Sequence, residues 1–295
     1  MSAALPPPQA PVAELTRSPY ERPPRDYIVW TAVLIAALFG LVAVFADVLA
    51  PYGFATIDLR ARNTPPAFLG GTLKHVLGTD ELGRDILSRI MISMRVSLAV
   101  CLSASLISAT VGILLGLLAA AGRSWVDSVI RVAIDFHASV PFLTFALAVL
   151  AFFGNNLTLF VVLLGTYGWE RYARLVRALA LVEYRKGYVA ALRRAGASRA
   201  RIAFGHVLRN VMAVIVVNWT ISLPELMLLE SGLSFLGVGI QPPLASLGNM
   251  VGLGRDYIVT SWWIATLPGI AIFILTLSIS TIGDWLRDKT DPSLQ

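Results

Sequence analysis

The feature that most constrains this chain is a run of twenty-six residues, 96–121, without a single charged side chain. A helix rises 1.5 Å per residue, so about twenty residues cross the ~30 Å hydrocarbon core of a bilayer. Inside that core every backbone N–H and C=O must be satisfied within the protein, which leaves a helix as the structure this run dictates. Residues 259–283 are likewise uncharged over twenty-five positions, and residues 28–46 over nineteen. With 56% hydrophobic and 14% charged residues in 295, the chain is too apolar for a soluble domain, and an all-α polytopic membrane protein is predicted.

Charge sets the topology. Residues 171–209 hold ten Lys or Arg against one acid, Glu183. Such a segment stays on the cytoplasmic side, so 181–210 is predicted to be a cytoplasmic loop, with both termini inside and residues 51–90 and 240–257 outside. The net charge of +6 could suggest nucleic acid. The basic residues instead cluster at the ends of apolar spans, which points to membrane lipid and away from nucleic acid. Six spans are predicted: 28–46, 96–121, 126–153, 157–180, 211–239 and 259–283.

The proline-rich residues 1–26 read as a disordered cytoplasmic tail, and 27–50 as a first transmembrane helix that is expected to remain uncleaved. Residues 51–95 are broken by Pro51, Gly53, Pro65, Pro66, Gly70, Gly71 and Gly78, and read as an external segment. It is predicted to end in an amphipathic helix capped by Thr79 or Asp80 and running from Leu82 through Ile86 and Ile90. Residues 96–288 form the main transmembrane domain, and 289–295 a cytoplasmic tail. Gly112 and Gly116 have the small-xxx-small spacing that permits close helix contact. Pro141, Pro224 and Pro268 are predicted kinks. Arg171, Arg174 and Arg177 share a face from which they could snorkel to headgroups.

Asp135, Glu225 and Glu230 lie within predicted spans, where a carboxylate faces protein or a water-filled path, or hydrogen-bonds a neighbouring helix. Asp80, Glu81 and Asp85 could be imagined around a metal, but carboxylates at a helix start need none, and no metal is assigned. His75, His137 and His206 lack metal spacing, and Cys101 reads as packing. The nearest approach to a phosphate loop begins at Gly283 and has Asp288 where the second glycine should stand before Lys289 and Thr290. An aspartate there would repel the phosphate, so no catalytic residue is assigned.

Within the basic loop, Tyr188, Ala191, Leu192 and Ala195 recur at helical spacing, Gly196 stops that helix, and Ser198 is placed to cap a second, with Ile202, Ala203 and Val207 on one face. A basic hairpin lying on anionic headgroups is the alternative. The run YVAALRRAGAS, followed by Ile202 and HVLRN, resembles the EAA loop of ABC importer permeases of the dipeptide, oligopeptide and nickel class. LGTDELGRDILSR, ESGLSFLGVGIQPP and LGNMVGLGRDY are similar to stretches of the C-type subunit of that class.

The resemblance implies a type I ABC importer transmembrane fold in the bacterial inner membrane. It also implies a loop that docks in a cleft of a cytoplasmic ATPase through Tyr188, Ala190, Ala191, Leu192, Arg193, Arg194, Gly196, Ala197, Ser198, Ile202 and His206. The family's glutamate falls on Ala190, its second alanine on Leu192 and its proline on Arg209, which makes Arg193 and Arg194 the charged contacts. Implied partners are a homologous permease subunit forming a heterodimer, one or two ABC ATPase subunits carrying ATP and Mg, and a periplasmic or lipid-anchored solute-binding protein. Implied cargo is a dipeptide or oligopeptide, with nickel chelates or opines carried by close relatives. An ion-coupled secondary transporter using Asp135, Glu225 or Glu230 is the competing class. The topology is checked by cysteine labelling after Cys101→Ala: a cysteine at Ser198 should resist membrane-impermeant reagents applied outside, and one at Thr72 should react.

Overall fold

The computed structural model describes residues 26–290, and no strand occurs among them. The tail predicted for residues 1–26 lies outside this range except for Asp26, as do residues 291–295. The helices are α1 (Asp26–Val44), α2 (Ala46–Leu49), α3 (Ile86–Ala121), α4 (Ser124–Ser139), α5 (Phe142–Phe153), α6 (Leu157–Gly165), α7 (Trp169–Tyr184), α8 (Gly187–Arg194), α9 (Arg199–Ile202), α10 (Leu208–Phe235), α11 (Leu247–Gly254) and α12 (Trp263–Thr290). A π-helical turn, Ala203–Val207, joins α9 to α10, so Arg199–Phe235 runs as one rod of 37 residues.

Among the described residues, four helices are long and apolar enough to cross a membrane: α1, α3, Arg199–Phe235 and α12. The predicted span at 126–153 is α4 and α5, set at 84° to one another. The break falls at Val140 and Pro141, because the residue before a proline is driven from the helical region; Val140 has ψ 123°. Counting this pair as one crossing gives five. The predicted span at 157–180 is also not one helix: α6 ends at Gly165, and Gly168, at φ +80°, starts α7 afresh. Pro224 and Pro268 sit inside continuous helices, so of the three predicted kinks only Pro141 coincides with a break.

The predicted amphipathic helix before residue 96 is the first part of α3 itself. Its cap is Asp85, whose Oδ2 accepts from the Ser88 N–H at 2.8 Å, and not Thr79 or Asp80. Asp80 is occupied instead by the Leu82 and Arg84 N–H groups, both at 2.9 Å, and by the Arg84 guanidinium. Asp85 also meets His75 Nδ1 at 3.0 Å, and Glu81 accepts from Arg84 at 3.0 Å. These acids therefore organise the turn that leads into α3, and the Trp263 indole N–H, donating to the Thr79 carbonyl at 3.1 Å, fastens that turn to α12.

The centre of the bundle is the contact of α3 with α7. A Cβ on Gly112 would stand 2.4 Å from Tyr172 Cβ and 2.5 Å from the Trp169 carbonyl; one on Gly116 would stand 2.7 Å from the Ala173 carbonyl. The predicted small-residue seam thus brings the two backbones together. Around it, one apolar core joins α1, α3, α11 and α12, a second joins α3, α5, α6 and α10, and a third runs from α3 and α7 into the loop. Gly112→Leu should force the helices apart and lower stability by about 2 kcal/mol or more, seen as a reduced thermal midpoint in detergent. Gly40→Leu, where nothing lies within 4 Å, should leave it unchanged.

Candidate functional site

The basic loop folds as helix, glycine turn and helix. At the end of α8 the Ala197 N–H donates to the Leu192 carbonyl at 3.0 Å and the Gly196 N–H to the Arg193 carbonyl at 3.1 Å. With Gly196 at φ +80°, this is a Schellman motif, which closes the carbonyls that the helix end leaves open. Ser198 then caps α9, its Oγ accepting from the Arg201 N–H at 3.2 Å.

The loop is rooted differently from the face read in the sequence. Val189 is fully buried, packed with Val176 and Ala180 of α7 and with Val207 and Val211, while Tyr188 and Leu192 are half-buried beside it. Ala191 and Ala195, on the predicted face shared with Tyr188 and Leu192, are exposed. Ile202, expected among the docking residues, is 1% exposed and belongs to the root. The surface offered outward is Ala190, Ala191, Arg193, Arg194, Gly196 and Ser198, with Ala197 half-exposed; His206 is half-buried in the π turn.

One residue was counted only as a charge in the sequence. Glu183, buried at the end of α7, accepts from the Tyr188 hydroxyl at 2.9 Å, from Asn210 Nδ2 at 3.1 Å and from Lys186 Nζ. Asn210 also donates to the Tyr188 hydroxyl at 3.1 Å. This knot joins the entrance of the loop to its exit. Lys186, with Asn210 and Tyr188, holds the Glu183 carboxyl below its ordinary value of 4.5 against the opposing effect of burial. Burial and the Glu183 carboxylate push the Tyr188 phenol up.

Within the bundle the three candidate acids have separate fates. Glu230 is 0% exposed and sits among serines: Ser234 Oγ donates at 2.7 Å and Ser97 Oγ at 3.2 Å. Ser97 Oγ in turn accepts from the Leu247 N–H at 3.1 Å, so this carboxyl ties α10 to α3 and α11. Glu225 takes both arms of Arg171, at 2.6 and 2.8 Å, and a hydrogen bond from the Tyr167 hydroxyl. Asp135 is exposed on α4, 3.8 Å from Arg174.

Arg171, Arg174 and Arg177, read as able to snorkel, each stand beside an acid. Arg171 is bound to Glu225 and Arg174 stands beside Asp135, while Arg177 grips Asp127, with Nη2 at 2.8 Å from Oδ2. Each arginine finds an acid on α4 or α10 because α7 lies between those helices. The pairing signal was present in the sequence as acids in the flanking spans, but only the tertiary fold says which acid faces which arginine.

Residues 112–295 match the family described as binding-protein-dependent transport system inner membrane component. The di/tripeptide transport system permease protein of Pseudomonas aeruginosa (strain UCBPP-PA14) is 40% identical over 264 residues, covering 89% of this chain and 87% of that protein. A putative peptide transport system permease protein of Brucella suis biovar 1 is 40% identical over 266 residues, covering 88% of each chain. Among solved structures, a chain of the MetNI methionine ABC transporter in an inward-facing conformation superposes with a TM-score of 0.55 at 20% identity. The match covers 70% of this chain and 97% of that one, and supports the fold alone.

Glu183→Gln should loosen the loop without unfolding the bundle. Loss of one charge-assisted contact of about 1 kcal/mol should raise hydrogen exchange across residues 186–198 roughly fivefold at pH 7. Because the folded carboxyl titrates below 4.5, the knot's contribution is complete at neutral pH and is lost as pH falls through the folded value. Exchange in the unsubstituted protein, corrected for intrinsic rate, should approach that of the variant only in that acidic range.

Proposed function

Because the chain belongs to the family of binding-protein-dependent transport system inner membrane components, we propose that it is the permease subunit of an ATP-driven importer of short peptides. Family membership places it in the bacterial inner membrane. Transport proceeds by alternating access. A homologous permease subunit completes the pathway, one or two ATPase subunits bind ATP and Mg, and a periplasmic or lipid-anchored binding protein delivers cargo. If the broken pairs α4–α5 and α6–α7 each make one crossing, the chain passes the membrane six times, with the basic loop and both termini in the cytoplasm.

The observation that carries this reading is the construction of the loop. A short helix with a small, basic outer face stands on an apolar root and is turned by Gly196 into a rod that runs to the far side of the bundle. Ala190 and Ala191 let a partner surface approach closely, and Arg193 and Arg194 offer charges to acidic groups on the ATPase. An ion-coupled mechanism would need a carboxyl free to exchange its ion. At Glu225 a lone ion would leave Arg171 without its partner, Glu230 is held by serine hydroxyls, and Asp135 lies exposed beside Arg174.

Gly196→Val tests the role of the loop. A Cβ there meets nothing within 4 Å, so the substitution acts through backbone strain alone, of order 1–3 kcal/mol at φ +80°. The protein should still insert and assemble. Peptide-stimulated ATP hydrolysis and peptide uptake should fall together, about tenfold, at matched membrane levels. Unimpaired uptake would remove the loop from the coupling path.

A further inference from the structure

We infer that the cavity between α3, the α6–α7 break and α10 is a site for a zwitterionic peptide in transit, with Glu225 taking its ammonium end and Arg171 its carboxylate end. This rests on the peptide reading above and adds to it a place and a chemistry.

The depth of the cavity follows from helix lengths. Ala121 and Tyr184 line one cavity beside the basic loop, so the loop-side ends of α3 and α7 are level. Counting back at 1.5 Å per residue, Ser108 and Arg171 both lie about 20 Å from those ends, and Ser222 is held at the same level by its hydrogen bond to Tyr172. That is well inside a ~30 Å hydrocarbon core. Yet the side chains of Arg171 and Glu225 are 44% and 45% exposed. An ion pair with that exposure does not face lipid at such depth; it faces a water-filled path or the homologous subunit that completes it.

The lining supports a polar guest. Asn218, Ser222 and Glu225 follow at helical spacing on one face of α10, opposite Ser108 and Tyr167. The Ser222 and Tyr172 hydroxyls bond each other at 2.6 Å, and Ser108 Oγ donates to the Tyr167 carbonyl at 2.7 Å. The Asn218 amide has no hydrogen-bond partner among the described residues, although it lines the cavity. It can therefore donate to and accept from a peptide group.

The charge balance selects the guest. Arg171 and Glu225 neutralise one another, and a zwitterion is also neutral, so exchanging the internal pair for two pairs with the guest leaves no charge uncompensated. A peptide with one blocked end would leave Arg171 or Glu225 without the charge-assisted contact that a zwitterion restores.

The test uses the assembled transporter carrying Cys101→Ala and Ser222→Cys, with the mixed disulfide formed by methanethiosulfonate-ethylammonium, which releases methanesulfinate, read from the mass of this chain. The cysteine should react, and free dialanine should slow it about threefold, the protection given by a site two-thirds occupied. N-acetyl-dialanine amide should not protect, and protection by dialanine should vanish when Glu225→Gln is added. An unreactive cysteine, equal protection by the blocked peptide, or protection that survives Glu225→Gln would each overturn the site. If Ser222→Cys fails to assemble, Asn218→Cys takes its place with the same outcomes. Uptake of labelled dialanine by the unsubstituted assembly with its binding protein is measured in parallel. Uptake without protection overturns this site alone, whereas absent uptake counts against the peptide reading itself.

Discussion

The approach of α3 to α7 through Gly112 and Gly116 is the contact on which the other arrangements depend. Any larger residue at these positions would collide with Tyr172, the Trp169 carbonyl or the Ala173 carbonyl, and α7 would stand farther from the bundle axis. In a bilayer, lipid tails are as apolar as leucine, so helices associate through close packing and polar contacts instead of the hydrophobic effect. Here the close packing comes first. It holds Arg171 where Glu225 of α10 can be reached, and Arg177 where Asp127 of α4 can be reached. It also sets the lower end of α7, with Val176 and Ala180, as the floor on which Val189 of the loop rests.

The charges on α7 then take on two roles that the seam makes possible. Toward α4, the Arg177–Asp127 contact fastens a helix that has been turned through 84° from its continuation. Toward α10, the Arg171–Glu225 pair opens into a cavity and keeps a polar surface at mid-depth. A half-exposed ion pair contributes little net stability, since solvent weakens much of the attraction. Holding two helices together therefore does not by itself account for the pair, which the proposed peptide site puts to use.

Much of this was legible in the residues. Uncharged runs located α1, α3 and α12, the glycine spacing announced the α3 seam, and Gly196 with Ser198 marked the turn of the loop, because each signal is local and arises from backbone geometry. What escaped was tertiary. The break at 166–168 lies in a stretch that composition alone joins to its neighbours, and only the αL conformation of Gly168 exposes it. Which side of α8 is inward was not legible, since an eight-residue helix bearing alanines and valine has an ambiguous apolar face until Val176 and Val211 define it. Glu183 was hidden because its partners, Lys186, Tyr188 and Asn210, are drawn from three elements.

The continuity of the helices decides how displacement of the loop is distributed. From Arg199 to Phe235 there is no break, so the rod that leaves the loop carries Asn218, Glu225 and Glu230 with it, and movement at its lower end must shift or tilt them together. The paired helices α4–α5 and α6–α7 have no such rigidity: they are interrupted at 140–141 and 166–168, where a few backbone angles can absorb a change. Arg171 stands just beyond the second of these breaks, on the helix whose far end is knotted to the loop by Glu183. A pull on the loop therefore acts on both members of the Arg171–Glu225 pair, along one helix that is continuous and another that ends at a hinge. With the loop as the proposed coupling element, the distance between the two charged groups is what its displacement would change, and that would link the cavity to the basic loop about 20 Å away.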